Sequence, residues 1–210
     1  MPLVGAKPPR NTTRLREAGA ASRAETRRLL LAAAADEFAR VGYVPATVNR
    51  IAEGAGVTVQ TLYLAWGSKR ALLRAYLEST LAPGASPSGE HFTSQLRPDT
   101  PAETLAQIAK LFCGVAQRSA IAWRAYRDGA AIDGAIAEEW QQLQALRRTT
   151  FEAMLATIPD DAIRIPRRDA VDTAWAIASP ESYELMVSGA NYTLERFEAW
   201  IARTLRAAIL

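Results

Sequence analysis

A group of uncharged hydrogen-bonding side chains stands between two glycine-bearing turns in the first third of the chain. The segment reads GAGVTVQTLYLAWGSKRALL, residues 54–73. Thr58, Gln60 and Tyr63 carry hydroxyl and amide groups, whereas Leu62 and Trp66 recur at the spacing of an apolar helix face. The polar set therefore points away from any core that the apolar set joins. Side chains of this kind can recognise a partner through hydrogen bonds.

Short helices must position this segment. Thr47, Thr58 and Ser68 are N-cap residue types, and they predict helices that start directly after them. An earlier helix is predicted from about residue 24 to Val41, and Gly42 ends it. Two helices joined by a glycine-bearing turn predict a helix-turn-helix, whose second helix lies in the DNA major groove.

In that arrangement the polar side chains acquire specific chemistry. The Gln60 amide can pair with adenine, and Val59 can contact a thymine methyl group. The hydroxyls of Thr61 and Tyr63 suit phosphate oxygens. The N-terminal ends of the helices after Thr47 and Ser68 offer free backbone N–H groups to phosphates, and Lys69 adds a positive charge beside Ser68. The alternative is an ordinary three-helix packing unit that binds no DNA.

The charge distribution supports a polyanion partner. Residues 1–75 hold 12 of the 25 Lys and Arg residues but 5 of the 22 Asp and Glu residues, a net charge of +7. The remaining residues carry a net charge of −4. A basic head on an acidic remainder suits a protein that presents one end to nucleic acid.

Residues 26–78 resemble the N-terminal domain of TetR-family transcriptional regulators. The resemblance runs through Phe38, Gly42-Tyr43, Thr47-Val48, Ile51-Ala52, Ala55-Gly56-Val57, Thr61-Leu62-Tyr63, Ser68-Lys69 and Leu72-Leu73. It implies that the DNA-binding residues are Thr47, Val48, Asn49, Thr58, Val59, Gln60, Thr61, Tyr63 and Lys69. The sequence departs from the family pattern at Leu64-Ala65-Trp66, where aromatic residues or a histidine are common.

The resemblance also implies the organisation of the whole chain. We expect an all-α protein with a flexible basic arm at 1–22, a helix-turn-helix head at 23–81 and a helical body at 82–210. Residues 82–99 are rich in Pro, Gly and Ser and predict a loop between the two parts. The implied assembly is a homodimer whose two heads bind a palindromic double-stranded operator.

Two sets of body residues are candidates for further sites. A small hydrophobic or amphipathic effector is expected among the central helices. Thr100 and Glu103 predict a capping box that opens a helix at Pro101, which continues to about Val115, and a separate shorter helix is predicted at 121–128. The candidate ligand-binding residues are Phe112, Cys113, Trp123, Tyr126, Trp140, Gln144, Phe151 and Met154. The candidate dimer-interface residues are Val171, Trp175, Tyr183, Met186, Phe197, Trp200, Ile201 and Leu205.

Enzyme chemistry is not indicated. The chain has a single histidine, His91, and a single cysteine, Cys113, so we expect no metal site, no cofactor and no catalytic residue. The absence of a signal peptide and of a long apolar run favours the cytoplasm, with the protein on the nucleoid when it is bound to its operator. Two alternatives stay open: a DNA-binding regulator whose packed body takes no effector, and a small-molecule binder or enzyme with a vestigial head.

Overall fold

The computed structural model describes residues 12–82, 84 and 87–210, and all of its regular elements are helical. The head contains α1 (Thr12–Val41), α2 (Val48–Gly54), α3 (Val59–Trp66) and α4 (Lys69–Leu81). The body contains α5 (Gly89–Thr93), α6 (Pro101–Ala130), α7 (Gly134–Leu155), α8 (Arg167–Ile177), α9 (Pro180–Tyr183) and α10 (Leu194–Ile209). A 3₁₀ turn (Asp160–Ala162) precedes α8, and a π-helix (Glu184–Gly189) follows α9. The all-α prediction is confirmed.

The first helix begins earlier than predicted. It starts at Thr12, so the second half of the predicted arm, residues 12–22, is helical. These residues are mostly Ala, Glu and Arg, which are good helix formers, and Gly19 alone does not stop the helix. The rest of the predicted arm, residues 1–11, lies outside the described residues.

Two predictions about the body helices are wrong. The helix predicted from Pro101 to about Val115 does start at Pro101, with Thr100 as its cap, but it and the separate helix predicted at 121–128 are one helix, α6. Ser119 does not interrupt it, because its hydroxyl donates to the carbonyl of Val115 at 2.7 Å and so stays satisfied inside the helix. The predicted loop at 82–99 contains the short helix α5, which Ser88 caps by accepting from the His91 N–H at 3.1 Å.

The core of the head continues into the near end of the body. One cluster of buried residues joins Leu30, Phe38 and Leu62 of the head to Trp123 and Tyr126 of α6. The close approach depends on a glycine of α6, Gly129: a Cβ there would lie 3.0 Å from the ring of Tyr43 and 3.1 Å from Ile136. Head and body are therefore packed against each other through shared apolar side chains rather than joined by a linker alone.

A second buried cluster fills the far end of the body. It contains four of the eight residues that are predicted to lie in the dimer interface. Val171, Phe197, Ile201 and Leu205 are at most 2% exposed and belong to this cluster. Side chains that are buried in their own chain cannot be the surface that a second copy covers. The other four candidates are half-buried and lie over the same cluster: Trp175, Tyr183, Met186 and Trp200.

No helix in the described part of the chain is both long enough and apolar enough to cross a bilayer.

Candidate nucleic-acid interface and ligand cavity

The three predicted N-caps of the head all form. Thr47 accepts a hydrogen bond from the Arg50 N–H at 3.3 Å, and Thr58 accepts one from the Thr61 N–H at 3.1 Å. Ser68 accepts one from the Ala71 N–H at 3.0 Å. These caps fix where α2, α3 and α4 begin, as the sequence predicts.

Glycines at positive φ set the turns on either side of α3. Gly56, between α2 and α3, has a φ of 66°, and Gly67, at the end of α3, has a φ of 75°. Residues with a Cβ rarely adopt these angles, whereas glycine does so without strain, and the chain can therefore turn sharply before and after α3. The turns hold α3 as a separate, well-bounded helix at the surface of the head.

One face of α3 is open to solvent. Gln60 and Tyr63 are exposed, with 49% of Tyr63 accessible, and Leu64 is 82% exposed. The opposite face carries Leu62, which is fully buried in the head core. Three and four residues separate Gln60 from Tyr63 and Leu64, so all three side chains share one helix face. We call Gln60, Tyr63 and Leu64 the reading face.

The structure places the other α3 candidates differently. Val59, which is predicted to contact a thymine methyl group, is half-buried and packs against the head core. The Thr61 hydroxyl lies 2.9 Å from the Thr58 hydroxyl, which ties it to the cap of α3. Of the candidates on α2, Thr47 and Asn49 are exposed, whereas Val48 is half-buried and packs on the core.

Two features of this surface are not among the predictions from the sequence. Leu64 departs from the family pattern, but its position four residues after Gln60 places it on the same open face. The guanidinium of Arg27 lies 4.0 Å from the centre of the Trp66 ring, a cation–π contact that anchors α1 on the end of α3. No periodic pattern in the sequence links these two residues, which are 39 positions apart.

Lys69 faces inward, toward the loop between α1 and α2. Its Nζ donates to the carbonyl oxygens of Tyr43 and Ala46, each at 2.8 Å, and lies 4.2 Å from the centre of the Tyr43 ring. Burial lowers the pKa of this ammonium group. In this structure Lys69 therefore does not present the free charge to phosphate that the sequence predicts. Its hydrogen bonds attach the α1–α2 loop to the start of α4.

Replacing Lys69 by Met tests this placement. The two carbonyls lose a charged donor, so we expect the free energy of unfolding in urea to fall by about 1.5–3 kcal/mol. A phosphate contact would instead show as a decrease of about 1 in the salt slope of DNA binding. We expect the slope to stay unchanged. Lys110→Met, at an exposed position on α6, is the control and should change neither quantity.

Two neighbouring cavities lie in the body. The inner cavity, of about 80 Å³, is bounded mainly by apolar and aromatic side chains of α6 and α7, and it includes four ligand candidates: Phe112, Trp123, Phe151 and Met154. The outer cavity, of about 220 Å³, is more polar and includes Trp123 and Trp140. Trp123 and Pro180 line both cavities, so they form the partition between them.

Three other ligand candidates do not line either cavity. Cys113 is 1% exposed in the far core, and burial raises the pKa of its thiol to about 12. Tyr126 is fully buried, its hydroxyl donates to Glu139 at 2.9 Å, and burial raises its pKa. Gln144 accepts a hydrogen bond from Arg147 at 3.1 Å. Cys113 and Tyr126 are core residues, and Gln144 orients a residue of the cavity wall.

Residues 30–76 match the family model of bacterial regulatory proteins of the tetR family. The matched segment contains the helix-turn-helix and the reading face described above. The match lies within the head, and it is this part of the chain that is similar to the family. A search of curated protein sequences with this chain finds no match.

Solved structures share the fold over most of the chain. A protein described as a TetR-family transcriptional regulator from Rhodococcus sp. has a TM-score of 0.66 at 19% identity, over 88% of this chain and 98% of the other. The tetR regulator TylP from Streptomyces fradiae has a TM-score of 0.58 at 22% identity, over 89% and 87% of the two chains. A gamma-butyrolactone receptor described as ArpA-like has a TM-score of 0.51 at 18% identity, over 88% and 99%. At these identities the comparison establishes the fold alone.

Proposed function

We propose that this chain is a dimeric regulator that binds a palindromic double-stranded operator, and that a small ligand in its body releases it. The observation that carries the proposal is the reading face, where the amide of Gln60, the phenol of Tyr63 and the aliphatic side chain of Leu64 are exposed on α3. An uncharged hydrogen-bonding face suits base edges, whereas the basic charge of the head supplies phosphate attraction. Such a protein acts in the cytoplasm, on the nucleoid when bound.

Contact between Leu64 and a thymine base of the operator is the first testable part of this function. An aliphatic side chain on the open face is suited to a thymine methyl group, and Leu64 is 82% exposed there whereas Val59 is half-buried. Deoxyuridine lacks only that methyl. We expect one thymine in each half-site where deoxyuridine weakens binding by about 0.8 kcal/mol per methyl group.

The loss at that position should depend on Leu64. Leu64→Ala should bind the thymine and deoxyuridine operators equally, and Leu64→Met should still distinguish them. Competition binding with operators that carry single deoxyuridine substitutions provides the measurement. A full methyl effect in Leu64→Ala would show that another side chain makes the contact.

Coupling between the ligand cavity and the head is proposed to run through Trp123. This residue belongs to the core shared with the head, lines both body cavities and packs edge-on against Trp140 with ring centres 5.3 Å apart. A ligand that moves its indole ring must therefore repack the core on which the head rests. Discrete repacking of this kind is how small shifts change the orientation of domains.

A polar link accompanies the shared core. Glu139 of α7 accepts from the Tyr126 hydroxyl at 2.9 Å and lies 3.4 Å from the guanidinium of Arg70 on α4. This link and the Trp123 contacts connect the body to the helix that follows the reading face. These contacts support the proposal that ligand binding changes the spacing of the two heads of a dimer. The heads would then no longer fit successive turns of the major groove.

A regulator with no effector is the second candidate, and the small inner cavity favours it. A volume of about 80 Å³ is below the ~300–1,000 Å³ typical of ligand pockets. The two candidates differ in one measurement, which is operator affinity with and without a ligand shown to bind the body. A ligand that binds without changing operator affinity would support the second candidate.

A further inference from the structure

An arginine lies in the wall of a mainly apolar cavity. The inner cavity is lined by rings such as Phe92, Phe112 and Phe151, and by the thioether of Met154. Arg147 of α7 is the one charged residue among the side chains that line it. Arg147 is half-buried, and a guanidinium group in such a wall is stabilised by hydrogen-bond acceptors and by a counter-charge.

The acceptors of Arg147 are all neutral. Its Nε donates to the Gln144 side-chain oxygen at 3.1 Å. Its Nη1 donates to the carbonyls of Trp175 at 2.7 Å and Ala178 at 2.8 Å, and the group stacks over the Trp175 ring at 5.0 Å. Its Nη2 makes no hydrogen bond within the described part of the chain, which leaves two N–H donors available.

The counter-charge is missing from the immediate surroundings. Within the described ranges, no carboxylate comes within 4.0 Å of Arg147, although Glu181 acts on it from further away. The neighbouring Arg148 differs, since it pairs with Asp172 at 2.7 Å on the surface. Burial lowers the pKa of Arg147 to about 10, so the group stays cationic at neutral pH.

We infer that the inner cavity takes a small monocarboxylate with a flat apolar body, whose carboxylate pairs with the Nη2 of Arg147. This inference rests on the proposed ligand-responsive function and names its ligand class. The guanidinium supplies the charge-assisted hydrogen bonds, and the aromatic wall contacts the apolar body. The ligand would supply the negative charge that the protein does not.

The dimensions of the cavity limit the size of the acid. About 80 Å³ suits one small ring at most, and the flexible Met154 side chain in the wall permits modest widening. A larger acid would have to displace Trp123 from the partition and enter the outer cavity. A one-ring acid is therefore the appropriate probe.

The test compares two nearly isosteric probes, benzoate and the neutral benzamide, by calorimetry on the full chain without DNA. In the unaltered protein we expect benzoate to bind about 10- to 100-fold more tightly, the range of charge-assisted hydrogen bonds. Arg147→Gln should remove this preference without changing benzamide binding, and Arg147→Lys should retain part of it. Arg148→Gln, which removes a charge from the adjacent residue, should behave as the unaltered protein.

Three outcomes would overturn the inference. These are equal affinity for benzoate and benzamide, an equal loss of benzoate affinity in Arg148→Gln, or no binding of either probe at millimolar concentration. The comparison of the two probes in the unaltered protein needs no variant, so it stands even if Arg147→Gln folds poorly. Binding of benzoate together with a failure to bind any operator would refute the proposed regulator but keep the site.

Discussion

Replacing Trp123 by Ala is expected to lower the free energy of unfolding by about 3–5 kcal/mol, the cost of truncating a large aromatic residue in a core. Trp123 is 5% exposed and belongs to the cluster that joins head and body. The cavity left behind would open between the two existing cavities and beneath the head. Urea unfolding followed by circular dichroism measures the loss, with the slope compared to confirm that the transition stays cooperative.

Trp123→Phe provides the control for shape. It keeps an aromatic ring in the partition, so we expect a smaller loss of stability and a head that still binds DNA. If Trp123→Ala unfolded at the same urea midpoint and with the same slope as the unaltered protein, Trp123 would not be part of a shared core, and the proposed coupling route would be wrong.

Replacing Gln60 by Ala is expected to give the largest loss of specific DNA binding. A bidentate amide–adenine pair is worth about 1–3 kcal/mol, and a dimer on a palindrome makes the contact twice, so we expect a loss of about 2–6 kcal/mol. Binding to scrambled DNA should be unchanged because Gln60 contributes no charge. The salt slope should also be unchanged for the same reason.

Gln141→Ala is the matched control for this variant. Gln141 is exposed on α7 of the body, away from the reading face, and its removal should leave both kinds of DNA binding intact. Equal losses on specific and scrambled DNA in Gln60→Ala would mean that this amide does not read bases. Equal unfolding free energies of the two variants would establish that the loss is not a folding defect.

The elements around the candidate DNA site could be predicted because their signals are local. Thr47, Thr58 and Ser68 form the N-caps that their residue types predict, and Leu62 is buried as its spacing indicates. A cap depends on residues three positions apart, so the sequence contains all of it. The same locality explains why the start of α3 could be placed correctly.

The roles that could not be predicted depend on contacts between distant residues. Lys69 follows a cap and carries a charge, but its acceptors lie 23 and 26 positions earlier in the chain. Val171 and Phe197 have the apolar character of an interface, yet the chain buries them itself. Hydrophobic character predicts that a side chain is covered, but it does not say which chain covers it.

Selection of bound duplexes from a randomised DNA pool would test the central claim most directly. The pool is incubated with the full chain, bound DNA is sequenced over several rounds, and affinities for the enriched duplex are measured over a range of salt. We predict a palindrome with half-sites about one helical turn apart, strong weakening with salt, and no enrichment by the Gln60→Ala, Leu64→Ala double variant. The same enriched sequence from that double variant, or no enrichment by the unaltered protein, would contradict the assignment of sequence reading to the exposed face of α3.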